Sequence, residues 1–89
     1  MSDIQQVLEE RGARYGKFTG HAQITQNLKL IMYTTENFAK LDADQKEALE
    51  MIAHKIGRIL NGDPNYDDSW KDIAGYAELV AKRLQGVEV

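Results

Sequence analysis

Apolar residues recur along this chain at the three- and four-residue spacing of a helix, in four separate stretches. Ile4, Val7 and Leu8 form the first stripe. With Ser2 and Gln5 as a capping box, they predict a helix over residues 3–13. Gly12, Gly16 and Gly20 then loosen the chain, so residues 14–20 read as a loop. Ile24, Leu28 and Ile31 open a second stripe near His21, and Phe38 and Leu41 continue it. The predicted helix reaches Lys40, with Thr34-Thr35-Glu36-Asn37 able to kink or end it. The third stripe holds Leu49, Ile52, Ile56, Ile59 and Leu60. It is framed by an Asp42/Gln45 capping box and an Asn61-Gly62 stop. The fourth runs from about Asp67 to Leu84, with Trp70, Ile73, Ala77, Val80 and Leu84 on one side. No alternating strand pattern competes. The expectation is one all-α domain, a bundle of four helices or of three long helices and a short one.

Eighty-nine residues make a small core, since a chain of this size buries only about 60–65% of its unfolded surface. A second copy would bury more, so a homo-oligomer is expected. The net charge of −3 argues against a partner made of long nucleic acid, whose affinity comes from phosphate neutralisation. It leaves room for one small nucleotide. Absence of cysteine removes disulfides, thiolate nucleophiles and thiolate metal sites. The start, MSDIQQVLEE, does not read as a signal peptide, and the apolar run Leu30-Ile31-Met32-Tyr33 is too short to cross a bilayer. A cytoplasmic protein without membrane contact is expected.

Two polar stripes carry candidate chemistry. Glu47, Glu50, His54 and Arg58 fall within one arc of the third helix at about 100° per residue. Glu47 and Glu50 are close enough to share a cation, and the same arc also serves as an ordinary solvated face. On the fourth helix Asp68, Asp72, Gly75, Tyr76 and Leu79 share a face. Gly75 costs that helix roughly 1 kcal/mol relative to alanine, which suggests close approach by a neighbouring helix, a partner subunit or a flat ligand. Half-buried Asp68 and Asp72 would need a cation, a proton or a basic side chain. Oxygen-only ligands favour Mg²⁺ or Mn²⁺ over zinc. The bland alternative has Asp67 and Asp68 capping the helix and Asp72 paired with Lys71, Arg58 or Lys55.

The stretch from Arg11 to His21, RGARYGKFTGH, is basic, aromatic and free of acid. Arg14, Lys17 and His21 suit phosphate oxygens, and Tyr15 or Phe18 suits the face of a base. It lacks Walker spacing. In the other reading its aromatics plug the end of the core and its cations balance Asp67 and Asp68.

The segments ERGARYGKF, QKEALEMIAHKIGRILNGDPNY and DSWKDIAGYAELV resemble a family of short phage-encoded proteins of uncharacterised function, over residues 9–81. More remotely the chain is similar to MazG-like all-α nucleoside triphosphate pyrophosphohydrolases. That resemblance implies an oligomeric helical bundle, and the phage resemblance implies the cytoplasm of the host cell. It implies Mg²⁺ held by an E-x-x-E pair and an E-x-x-D pair, and cleavage between the α- and β-phosphates. Glu47 and Glu50 match the first pair. Asp72 matches the end of the second, where Ser69 replaces the expected glutamate and Asp68 lies one position earlier. Lys55, Arg58 or the loop around Arg14 and Lys17 would then stabilise the transition state. Three functions follow: a metal-dependent pyrophosphohydrolase, a nucleotide binder without turnover, or a module that binds a host protein.

Overall fold

Helix ends in this chain fall where side chains take over from the backbone ladder. The computed structural model describes residues 2–89, Ser2 by its backbone alone. It contains α1 (Ser2–Tyr15), α2 (Phe18–Tyr33), α3 (Glu36–Lys40), α4 (Ala43–Asn61) and α5 (Asp67–Leu84). No strand occurs among the described residues, as the all-α reading requires. The helix expected over 21–40 is two. The Thr34 hydroxyl donates to the Ile31 carbonyl at 2.7 Å and the Thr35 hydroxyl to the Met32 carbonyl at 2.9 Å. Those bonds end α2, and the Thr35 oxygen accepts the Phe38 N–H at 3.3 Å to begin α3. Threonine back-bonding is the cause. Among the described residues the count is therefore five helices, not four.

The loop expected over 14–20 shrinks to Gly16 and Lys17. Asn61, at the end of α4, holds it closed. Its Nδ2 donates to the carbonyls of Tyr15 and Lys17, both at 2.8 Å. Gly16 turns the chain with φ +77°, and a Cβ there would collide with the Asn61 carbonyl. The Ser2 half of the first capping box lies outside the described side chains; Gln5 donates to Glu9 at 3.1 Å. At the start of α4, Gln45 Oε1 accepts the Asp42 N–H at 2.8 Å. Tyr66, not an aspartate, is the N-cap of α5, and it makes no side-chain cap bond.

The helix α4 is the centre of the molecule, with α2 on one flank and α5 on the other, and α2 and α5 do not pack substantially on each other. Both neighbours run antiparallel to it. Lys29 of α2 meets Glu50 at 3.8 Å, while Asn61 reaches Lys17. Arg83 of α5 donates to Asp42 at 3.0 Å and to Asp44 at 2.8 Å, while Lys55 meets Asp72 at 2.9 Å. The three long helices form a layer rather than a closed bundle, and α1 crosses one end.

The seams of this layer are made of small and polar residues. Ala48, Ala53 and Gly57 are buried, with His21, Thr25, Lys55 and Ser69. Of the expected core residues, Ile24, Leu28, Ile52, Ile56, Ile59, Ile73 and Val80 are half-buried. Leu60 is 66% exposed, Ile31 65% and Trp70 55%, and Leu49 and Leu84 are also exposed. Helical spacing identified one apolar side per helix; those sides meet one another only in part within the chain.

Thr25 is pressed against Gly57, and its buried hydroxyl has no hydrogen-bond partner. An unpaired buried hydroxyl costs about 1–3 kcal/mol. Thr25→Val is therefore expected to raise stability by about 1 kcal/mol, as a shift in the urea midpoint. A lowered midpoint would show that the hydroxyl is satisfied in solution.

Candidate functional site

One cleft gathers most of the basic and aromatic residues that the sequence singled out. It opens between α1, the start of α2 and the C-terminal half of α4, with a volume of about 430 Å³. Tyr15, Lys17, Phe18 and His21 line it, as do Arg11, His54 and Arg58. It has no acidic lining residue. The connection fixed by Asn61 creates this meeting. It turns α1 back across α4 and sets Tyr15 beside Arg58, whose guanidinium lies 4.2 Å from the ring centroid. That contact is a cation–π stack. It pre-orders an arginine that would otherwise have many rotamers.

A histidine pair forms the inner wall. The rings of His21 and His54 meet edge to face at 4.4 Å, and His21 Nε2–H donates to the His54 carbonyl oxygen at 3.0 Å. Burial pushes the His54 imidazole down from its ordinary value to about 4, with help from His21, Arg58, Lys55 and Lys29. At neutral pH it is an uncharged ring, able to accept or donate one hydrogen bond. The cleft is electropositive because Arg11, Lys17 and Arg58 line it and no carboxylate does.

Other expected site residues lie outside it. Arg14 sits over the Tyr66 ring at 4.3 Å, and its carbonyl accepts the Asp63 N–H at 2.7 Å. It fastens α1 to the turn before α5. Lys55 is buried and bound to Asp72 on the α5 flank, away from Arg58. Of the partners weighed for Asp72, this is the one it has. Glu50 accepts the Tyr33 hydroxyl at 3.0 Å, and Asp68 accepts that of Tyr66 at 2.7 Å. Glu47 lines a different groove, with Tyr76, Leu79 and Arg83.

The carboxylates Glu47, Glu50, Asp68 and Asp72 are thus not brought together. Among the described residues no group of three or more aspartates, glutamates and histidines is placed to hold a metal ion. The donor set does not fit Mg²⁺, since a lysine ammonium already occupies Asp72. Gly75 meets nothing within 4 Å where a Cβ would stand, so no helix of this chain explains it.

Arg11 and the cleft role of His54 were not among the expected binding residues. Arg11 and Tyr15 share a helix face at i,i+4, but only if α1 continues past Ala13. That continuation depends on Asn61, 46 positions from Tyr15, and local pattern does not report it.

The family described as Domain of unknown function (DUF6378) matches residues 2–84. That match carries no link to MazG-like enzymes or to phage proteins. No curated protein and no solved structure matches the chain.

Proposed function

The chain belongs to the DUF6378 family of unknown function, and we propose that it binds a nucleotide or a closely related phosphorylated aromatic molecule in the α1–α2–α4 cleft. One observation carries this reading: Arg11, Lys17 and Arg58 converge with Tyr15 and Phe18 around a space with no acidic lining, in a protein of net charge −3. Charge-assisted bonds from arginine and lysine suit phosphate oxygens. Phe18, exposed at the rim, offers a ring for stacking, worth about 1–3 kcal/mol per base. The cleft falls within the usual size of small-molecule sites, about 300–1,000 Å³. Cleavage of the ligand, as in MazG-like enzymes, is outside the proposal, because the carboxylates do not converge and Lys55 neutralises Asp72.

The test is a thermal-shift series with a nucleoside triphosphate, the matching nucleoside and inorganic phosphate. The triphosphate is expected to stabilise most, by about 2.7 kcal/mol at a hundredfold excess over Kd. Equal melting temperatures in all conditions would remove the proposal.

Protonation of His54 gives an independent check. Its folded pKa, about 4, lies below the unfolded value of about 6.5. Above the unfolded value neither state is protonated and the group has no effect. As pH falls between these values the unfolded state takes up a proton that the folded state refuses, so stability falls. Below the folded value there is no further change. A bound phosphate would favour the imidazolium and raise the pKa. Ring proton shifts in NMR should therefore show His54 titrating late in the free protein and earlier with ligand. A His54 that titrates identically in both would place the ligand elsewhere.

A further inference from the structure

The side of the layer opposite the cleft is apolar and uncovered. Its composition follows from helix geometry. Along α4, Lys55 and Asp44 turn to α5, and Glu50 and Gly57 turn to α2. At about 100° per residue, two arcs remain. His54 and Arg58 occupy one and line the cleft. Leu49, Ile56 and Leu60 occupy the other.

The neighbouring helices add to that second arc. Leu79 of α5 shares a groove with Glu47, on the cleft side of α4. Trp70, Ala77 and Leu84 are turned roughly 140–180° from Leu79, onto the apolar side. In α2, Phe18 lines the cleft, and Ile24 and Ile31 are turned about 120–140° from it. The result is one apolar face across three helices.

We propose that a second copy of this chain covers this face, in a homodimer that stacks the two layers. The surface area favours an obligatory partner. The chain exposes 6476 Å², against about 5,300 Å² for a monomer of its 10.1 kDa mass. Its radius of gyration is 15.0 Å, against about 12 Å for a compact domain of this length. The excess of roughly 1,200 Å² is carried by this face and by α1. Two-thirds of it, about 800 Å² from each copy, already makes an interface of standard size, about 1,600 Å².

The weakness of the isolated layer decides which partner. Among the described residues no large side chain is fully enclosed, and the buried apolar residues are two alanines. A layer lacking half its core needs its cover from the moment it folds. A second copy is always available; an occasional partner is not. The named face residues are all uncharged, so stacking them opposes no like charges.

The test uses the chain as it is. Light scattering should give twice the 10.1 kDa chain mass, or an even multiple, and the melting temperature should rise with concentration. Trp70, the single tryptophan, reports on the face itself: its emission should be blue-shifted and resistant to acrylamide. Leu60→Glu should halve the mass or unfold the chain, although a monomer would tolerate a charge at so exposed a position. A folded monomer with freely quenched Trp70 overturns the proposal, as does an oligomer in which Trp70 stays accessible. So does a monomer whose Trp70 is protected only by a different protein, and so does a Leu60→Glu variant with unchanged mass and stability.

Discussion

Gly57→Val will unfold the seam between α2 and α4, with a loss of at least about 3 kcal/mol. A Cβ at Gly57 would collide with Thr25 Oγ1 and lie 2.8 Å from His21 Cδ2. Both neighbours are buried, so neither can swing into solvent. Alanine at this position gains roughly 1 kcal/mol of helix propensity and would partly offset the clash; valine adds bulk and gains less. Overpacking typically costs about 1–3 kcal/mol, and here the backbone of α2 itself must retreat. The retreat also displaces His21 and opens the inner wall of the cleft. Denaturant midpoints measure the first effect. A variant as stable as the parent would mean that α2 is not held against α4 in this way.

Arg58→Ala is expected to lower nucleotide affinity by about 10–100-fold, the equivalent of one charge-assisted hydrogen bond. Its stack on Tyr15 means that the charge is presented in one geometry. Arg58→Lys should recover only part of the loss, because an ammonium lacks the planar fork and the stack. Lys17→Ala should cost less, since Lys17 is exposed and pays more to become ordered. Calorimetric titration compares the three. Affinity within twofold of the parent for Arg58→Ala would exclude this arginine from phosphate contact.

Local chemistry makes the helices legible in the sequence. Three- and four-residue spacing marked the apolar side of each long helix, and the Asn61-Gly62 stop marks where α4 ends. The division at Thr34 and Thr35 was half visible, because weak propensity flagged the place but not the back-bonds that cut the helix. Packing was less legible. Leucine and isoleucine spacing says which side is apolar; it does not say whether another helix of the same chain will meet it. The seams were built instead on Ala48, Gly57 and Ser69, which no hydrophobic count would select.

The candidate site divides the same way. The acid-free run from Arg11 to His21 placed Tyr15, Lys17, Phe18 and His21 in one region because they are neighbours in sequence. Arg58 joined them only through the turn fixed by Asn61. The acidic stripes on α4 and α5 were joined into one metal site only by the resemblance to MazG-like enzymes, and Tyr33, Tyr66 and Lys55 partner Glu50, Asp68 and Asp72 separately. Tyr33 and Lys55 reach their carboxylates from another helix, which tertiary packing decides, whereas Tyr66 reaches Asp68 from two residues away.

The most direct test of the central claim is an amide NMR titration of the uniformly labelled protein with a nucleoside triphosphate such as ATP. The cleft account predicts saturable shifts centred on Gly12, Gly16, Lys17, Phe18 and His54, with α5 largely unmoved. Absence of saturable shifts, or shifts centred on Asp72 and Gly75, would contradict it.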